Sequence, residues 1–207
     1  MNKSVLVLAF AGGVIAASGW LLWAPTAAEP SAAALMDAVM WNKGQIGGPF
    51  ALIDQDGRPR TDADFRGKLL VVYFGYTYCT DICPTDLQTI STAINKLGPA
   101  GDSVQPLFIT VDPEHDTPEA IKLYVALFHP RLVGLTGSAM QIKAVARAYK
   151  VYYANNEQSK KSGPVVDHSG FAFLVGRDGK YLGFFPPGTS ADRMIDSLRP
   201  HLAITQR

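Results

Sequence analysis

The sequence predicts an α/β domain with a mixed sheet, because short apolar runs alternate with segments of helical periodicity. Residues 69–74 and 104–111 are largely apolar at consecutive positions, as in central strands that are buried on both faces. Each run is followed by a segment with apolar residues three or four positions apart, as on one face of a helix. Strands and helices in this order are typical of a layered α/β domain.

The first elements are predicted to be a hairpin, a central strand and a helix. The stretch 50–60, FALIDQDGRPR, is interpreted as two strands joined by a turn at Asp56-Gly57. The central strand at 69–74 precedes a helix with apolar residues three or four apart between positions 87 and 97. Pro84 fits the first turn of this helix, where its missing N–H costs nothing.

The remaining elements complete a thioredoxin-like order. Thr117 and Ser138 are the predicted N-caps of two further helices. The stretch 170–185 is predicted to be a β-hairpin that turns at Asp178-Gly179, and a last helix covers 189–202. A final antiparallel hairpin before a terminal helix is how a thioredoxin-like fold ends. We therefore expect a thioredoxin-like α/β fold in which helices flank a mixed central sheet, preceded by the N-terminal β-hairpin.

The N-terminal segment is predicted to be a transmembrane helix that anchors the chain. Residues 5–23 carry no charge and approach the length of about 20 residues that a helix needs to span a bilayer. Lys3 precedes this run and Glu29 is the first charge after it, which favours a cytoplasmic N-terminus. The alternative is a cleaved signal peptide, for which Ala27-Ala28 provides small residues near a cut. Either interpretation places the domain outside the cytoplasm.

The chain is thus predicted to be a single-pass protein of the cell inner membrane. The expected parts are a cytoplasmic N-terminus at 1–4, the anchor at 5–23, a tether at 24–44 and a periplasmic domain at 45–207. The formal net charge of +1 argues against a nucleic-acid partner, which would require clustered basic residues.

The two cysteines, Cys79 and Cys83, are the candidate functional residues. They follow the strand at 69–74, and in open α/β sheets ligands bind beyond the carboxyl ends of strands. A disulfide across three intervening residues closes so short a loop that it is a weak structural staple. Their spacing places both side chains on one side of a helical turn, where they can bind one metal ion or form a redox disulfide. Two buried, inert thiols are the third interpretation.

The position of Cys83 at the start of a helix suggests a lowered pKa, because helix N-termini stabilise negative charge. The thiolate is both the nucleophile and the metal ligand, so this position does not choose between the two roles. The motif has one residue more than the Cys-x-x-Cys of thioredoxin-like exchange proteins. A closed four-cysteine zinc site is excluded, since the chain has only two cysteines.

A third ligand would distinguish a metal site from a redox pair, and the four histidines are the candidates. His168 directly precedes the hairpin strand, and the loop before it can fold back over the cysteines. His115 lies in a loop after a neighbouring strand, where a surface position is favoured and a position near the site is the alternative. His129 at a helix end is expected to cap carbonyl groups, and His201 to be a surface or packing residue. A set of two cysteines and one histidine suits copper, since soft thiolates select Cu(I), and zinc remains open.

These residues resemble the Sco/SenC family of membrane-anchored, thioredoxin-fold copper proteins. The resemblance lies in GYTYCTDICPTDL, VDPEHDTPE, LTGSAMQIKAVARAYKVYY and VDHSGFAFLV and extends over about 47–198. It implies one copper per chain, held by Cys79, Cys83 and His168, and a role in assembling the dinuclear copper centre of cytochrome c oxidase. The implied partners are the copper-bearing oxidase subunit and other copper chaperones or thiol reductants.

The sequence departs from the family pattern at Tyr78, Thr80 and His115, none of which removes a ligand. Through its departure from this pattern, His115 becomes a candidate for an additional, transient ligand. Two functions therefore stay open. We favour a metallochaperone rather than an enzyme. The alternative is a thiol-disulfide oxidoreductase that uses Cys79 and Cys83 to keep cysteines of the oxidase subunit, or of another exported protein, reduced. A peroxidase of the same fold fits less well, because Cys83 is so near Cys79 and there are no other thiols.

Overall fold

The computed structural model of this chain describes residues 46–155, 166–168 and 170–202. They belong to one compact unit, Gly44–Arg207. The predicted membrane span at 5–23 and tether at 24–44 lie outside the described residues. No helix within the described ranges is long and apolar enough to cross a bilayer.

Nine strands make up two sheets among the described residues. They are β1 (Ala51–Asp54), β2 (Pro59–Thr61), β3 (Leu69–Gly75), β4 (Val104–Thr110), β5 (Val133–Thr136), β6 (Tyr153–Asn155), β7 (Val166–His168), β8 (Ala172–Val175) and β9 (Tyr181–Phe185). Seven of them form the main sheet in the order β2-β1-β5-β4-β3-β8-β9, and β6 and β7 form a separate two-stranded sheet. The central strands β3, β4 and β5 are parallel, whereas the pairs towards both edges are antiparallel. The predicted mixed sheet is confirmed.

Four α-helices and two short 3-10 helices connect the strands that the structure describes. The α-helices are α1 (Ile82–Lys96), α2 (Pro118–Val125), α3 (Ala139–Ala148) and α4 (Ala191–Leu202), and the 3-10 segments are Asp62–Phe65 and Gly98–Ser103. The predicted caps are confirmed, since the Thr117 hydroxyl accepts from Ala120 N–H at 3.3 Å and the Ser138 hydroxyl from Gln141 N–H at 3.3 Å.

The central strand β3 is buried along its whole length, and its alternate side chains enter two different cores. Leu69, Val71 and Tyr73 pack in one cluster with residues of α1, α2 and α4. On the other face, Phe74 meets the rings of Tyr149 and Phe173, with centroids 5.3 and 5.9 Å away. Burial of both faces explains why the sequence of this strand is continuously apolar.

The two hairpins differ in how they join the sheet. The predicted turn at Asp178-Gly179 is confirmed: Gly179 adopts a φ of +81°, which favours glycine, and Lys180 N–H donates to Asp178 Oδ1 at 3.0 Å. The strands β1 and β2 pair antiparallel, but they form an edge of the main sheet rather than a hairpin that precedes it, because β1 also pairs with β5. This pairing joins residues about 80 positions apart.

Candidate metal centre

The cysteines lie in the short connection from β3 to α1. Strand β3 ends at Gly75, Cys79 N–H closes a turn on Tyr76 O at 3.2 Å, and α1 begins at Ile82. Cys83 is therefore the second residue of α1 and is completely buried, whereas Cys79 is partly exposed. One thiol faces the core and the other reaches the surface beside it.

The start of α1 places a backbone donor against the sulfur of Cys79. The N–H of Cys83 lies 3.5 Å from Cys79 Sγ, so the partial positive charge of the helix start favours negative charge on that sulfur. The hydrogen bond with the Cys79 thiol and then burial raise the pKa of the Cys83 thiol far above its usual range. The expectation of a lowered pKa for Cys83 is therefore wrong, because burial and the neighbouring thiol outweigh the helix terminus.

Gly75 creates the space that the Cys83 sulfur occupies. A Cβ atom on Gly75 would lie 2.9 Å from Cys83 Sγ and 3.1 Å from the ring of Phe108, closer than ordinary van der Waals contact. The backbone of β3 can thus approach the buried sulfur only because position 75 has no side chain.

A buried polar pair adjoins Cys83 on the core side. The hydroxyl of Tyr73, on β3, donates to Asp86 Oδ2 at 3.3 Å, and the Gly188 N–H lies 3.4 Å from Asp86 Oδ1. The same tyrosine hydroxyl is hydrogen-bonded to the Cys83 thiol. Burial, followed by the neighbouring Cys83 and the Asp86 carboxylate, raises the pKa of the Tyr73 hydroxyl far above its usual range, so that it keeps its proton.

A second buried carboxylate fixes the other side of the cysteine loop. Asp116, in the loop after β4, accepts hydrogen bonds from Thr77 N–H at 3.1 Å and from the hydroxyls of Thr77 and Thr110, each at 2.5 Å. Burial raises the pKa of the Asp116 carboxyl although these hydrogen bonds lower it. Asp116 thereby connects Thr110, at the end of β4, with Thr77, which follows β3 and lies two residues before Cys79.

His115 is placed beside the cysteine loop. Its Nδ1 lies 2.9 Å from Asp112 Oδ2, and Asp112 is buried while about half of the His115 side chain is exposed. The imidazole also packs edge-on against the exposed ring of Tyr78, with centroids 6.3 Å apart. The Asp112 carboxylate fixes the orientation of the His115 ring, as carboxylates do for metal-binding histidines.

The backbone that carries His168 returns to the same end of the main sheet as the cysteine loop. His168 ends β7 and pairs with Tyr153 of β6, and β8 then begins at Ala172, opposite Tyr73 near the end of β3. A Cβ on Gly170 would lie 3.2 Å from Ile82 Cδ1, so the chain two residues after His168 contacts the start of α1. The predicted ligands Cys79 and Cys83 are thus neighbours, and the segment of His168 approaches them.

The other two histidines lie elsewhere. His129 is buried, and its Nδ1 accepts from the Arg131 N–H at 3.1 Å. The Nδ1 of His129 thus accepts from a backbone N–H in the turn after α2, whereas capping of carbonyl groups by its ring stays a prediction. His201 lies in the last turn of α4, as expected.

The arrangement can hold a soft metal ion or undergo thiol chemistry. It offers two thiol sulfurs side by side at the end of a strand, of which one is accessible, and thiolate sulfur selects copper(I) and zinc among biological metals. Among the side chains that the structure describes, no three of the types His, Cys, Asp and Glu form a metal-binding group. A third ligand would therefore come from a side chain that is not described, or from a partner.

Sequence analysis did not identify the residues that surround the two sulfurs. Tyr73 and Asp86 are hidden in the apolar periodicity of β3 and in the helix face of α1, and Asp116 lies among the polar residues between β4 and α2. The only sequence signal for Asp86 was its position on the apolar face of the predicted helix, where a carboxylate is unusual.

The fold and the site define a thioredoxin-like α/β protein with a pair of adjacent thiols at the end of its central strand. The family model SCO1/SenC matches residues 39–203, and the chain belongs to this family. A relative from Bos taurus, "Protein SCO2 homolog, mitochondrial", is 46% identical over 158 residues, which are 75% of this chain and 59% of that protein. The chain thus spans about three fifths of the length of this relative.

Solved structures agree with this assignment. The copper-bound ScoI of Arabidopsis thaliana is 41% identical and superposes with a TM-score of 0.72 over 76% of this chain and 98% of that structure. BsSco, described as a member of the Sco family of cytochrome c oxidase assembly proteins with a disulfide switch, is 25% identical. Its TM-score is 0.62 over 78% of this chain and 96% of that structure.

Proposed function

We propose that this protein is a copper metallochaperone that helps to assemble the dinuclear copper centre of cytochrome c oxidase. Its cargo would be one copper per chain, held by the thiolates of Cys79 and Cys83 and the imidazole of His168. The observation that carries the proposal is the pair of adjacent thiols at the end of β3 in a member of the SCO1/SenC family. The copper-bound relative from Arabidopsis supports copper as the cargo.

The donor groups fit a copper site of this kind. Thiolate sulfur is a soft donor that favours Cu(I), and imidazole binds copper in both oxidation states. Cys79 is partly exposed whereas Cys83 is buried, so a partner protein can reach the ion from the side of Cys79. Such one-sided access suits delivery, because the acceptor must replace the ligands one by one.

The backbone supports His168 as the third ligand. The segment from β7 to β8 contacts Ile82, which lies between the two cysteines in sequence. His115 remains outside the proposed set, since its Nδ1 is bonded to Asp112 and its ring packs on Tyr78.

Delivery to a membrane enzyme agrees with the proposed organisation of the chain. We infer that residues 5–23 anchor the protein in the inner membrane and that 24–44 tether the copper-binding domain on the periplasmic side. The partner would be the copper-bearing oxidase subunit, and the chain would receive copper from another chaperone after a thiol reductant has reduced its cysteines.

A copper titration of the reduced full chain tests the ligand set. We expect one copper per chain, a thiolate charge-transfer band with Cu(II), and an affinity that falls at least tenfold in His168→Ala. His115→Ala is the matched control and should keep the wild-type affinity. Equal affinity of wild type and His168→Ala would refute the three-ligand site, and a loss in His115→Ala instead would place that residue in the site.

The alternative function is thiol-disulfide exchange with cysteines of the oxidase subunit or another exported protein. It is supported by the thioredoxin-like fold and by the disulfide switch described for BsSco. It is also supported by the accessible Cys79, whose sulfur accepts a hydrogen bond from the Cys83 N–H. In this case the reduced protein would reduce a disulfide-bonded client peptide at equal rates with and without His168→Ala. If the reduced wild type binds no more copper than a Cys79→Ser/Cys83→Ser chain, this alternative becomes the leading function.

A further inference from the structure

Two buried polar side chains, those of Tyr73 and Asp86, lie beside Cys83, and neither proposed function requires them. Tyr73 is fully buried and Asp86 is 5% exposed, and the tyrosine hydroxyl lies between the Asp86 carboxylate and the Cys83 sulfur. Polar groups in such positions are costly unless they are hydrogen-bonded, and their presence beside a reactive sulfur calls for a physical reason.

A phenolic hydroxyl has one proton to donate and two lone pairs that accept. In the dithiol form the Tyr73 hydroxyl lies 3.3 Å from Asp86 Oδ2 and is also hydrogen-bonded to Cys83, so the Asp86 carboxylate and the Cys83 sulfur compete for its one proton. A sulfur that has lost its proton to solvent on binding a metal can only accept. The deprotonated sulfur competes for the Tyr73 proton more strongly than the thiol does, so the proton moves towards it while the Gly188 N–H stays near Asp86 Oδ1.

We propose that Tyr73 is a positioning residue whose hydroxyl exchanges its proton between Asp86 and the Cys83 sulfur, and thereby sets how strongly this sulfur binds metal and how readily it is oxidised. Hydrogen bonds to a ligating sulfur withdraw electron density from it and tune the potential of the site. Asp86 competes for the same proton, so the two residues act on the sulfur in opposite directions.

The metal experiment rests on the proposed function and uses the charge-transfer band of the Cu(II)-loaded full chain. Tyr73→Phe removes the donor, so the sulfur becomes electron-richer and the band moves to lower energy. Asp86→Asn weakens the competing acceptor, so the band moves to higher energy. A role limited to packing would shift both variants in the same direction, or neither.

A matched control separates the donor from the mere loss of a buried hydroxyl. The Tyr124 hydroxyl is buried and has no hydrogen-bond partner among the described residues, and its ring packs on Phe108 in the same core. Tyr124→Phe should leave the band unchanged. Unfolding curves of all three variants show whether each is folded at the temperature of measurement.

A second experiment requires no metal. In a glutathione buffer, the two thiols and oxidised glutathione give the Cys79–Cys83 disulfide and two molecules of reduced glutathione. The dithiol alone keeps the hydrogen bond between Tyr73 and Cys83, so Tyr73→Phe should favour the disulfide by about three- to tenfold, where tenfold corresponds to about 30 mV. Tyr124→Phe should not change this equilibrium.

The outcomes separate the two proposals. If the wild type binds no copper, the metallochaperone is refuted, but the glutathione equilibrium still tests Tyr73. If Tyr73→Phe matches wild type in both the band and the glutathione equilibrium, the role of Tyr73 is refuted, whether or not copper binds. Shifts in Tyr73→Phe that Tyr124→Phe reproduces would refute it as well.

Discussion

Asp116 accepts two hydrogen bonds from Thr77, one from the backbone N–H at 3.1 Å and one from the hydroxyl. The two residues are 39 positions apart, and Thr77 lies two residues before Cys79. The conformation of the cysteine loop is therefore fixed from outside the loop, by a buried carboxylate on the neighbouring strand connection. A loop fixed in this way holds the first thiol in place before any ligand arrives.

Asp116→Ala should destabilise the protein by about 1–3 kcal/mol, because it leaves buried donors without their acceptor. Urea unfolding measures this change. Asp192→Ala is the control, since Asp192 forms an exposed pair with Lys96 and its loss should cost about 1 kcal/mol at most. Equal changes in the two variants would show that the Thr77 contact is unimportant.

Gly75→Ala should impair the site more than the fold. The new methyl group would collide with Cys83 Sγ and displace the sulfur by a few tenths of an ångström. We expect copper affinity to fall about tenfold or more, by titration of the reduced chain. Gly48→Ala serves for comparison, because a Cβ there meets only Ala148 Cβ at 3.8 Å. Wild-type affinity in Gly75→Ala would mean that the sulfur is not held by this contact.

Gly134→Ala should lower stability by about 1–3 kcal/mol through overpacking between β5 and α2. A Cβ at this position would overlap Ile121 Cγ2 and lie 2.9 Å from Val125 Cγ1. Gly183→Ala, on β9, meets nothing within 4 Å and should be neutral or slightly stabilising. The prediction fails if thermal unfolding gives both variants the same midpoint.

The pKa of His115 should lie above the usual histidine value of about 6.5, and the pKa of His129 should lie below it. The hydrogen bond to Asp112 raises the pKa of His115, whereas burial lowers the pKa of His129. The stabilisation from the His115 pair is present below the unfolded pKa and is lost as the pH rises through the folded one. For His129 the sign is reversed, and stability is lost as the pH falls through its unfolded pKa.

One NMR titration observes both rings. His115 should lose its proton at the higher pH, and Asp112→Asn should bring only the His115 midpoint down. A His129 midpoint above that of His115, or an unchanged His115 midpoint in Asp112→Asn, would contradict the assigned contacts.

The elements that the sequence predicted well depend on neighbours in the chain. The caps at Thr117 and Ser138 and the turn at Asp178-Gly179 are formed by groups within three residues of each other, so their residue types are visible as local motifs. The buried strand β3 was equally clear, because two covered faces require an uninterrupted apolar run.

The features that sequence analysis missed depend on contacts between distant positions. Tyr73 and Asp86 are 13 residues apart, and only the packing of α1 on β3 brings them together. The pKa of Cys83 was predicted in the wrong direction for the same reason: the helix start is a local signal, whereas burial under β3 is not. The β6–β7 pairing likewise joins residues up to 15 positions apart, Tyr153 and His168.

The separation of β6 and β7 from the main sheet has a consequence for cooperativity. The cysteine loop continues from the seven-stranded sheet, whereas His168 ends a two-stranded ribbon, and such ribbons are marginally stable alone. An ion bound by all three proposed ligands would connect two sheets that share no strand pairing among the described residues. Amide hydrogen exchange of residues 153–155 and 166–168 should therefore slow when copper is added, and the amides of β3 should change little.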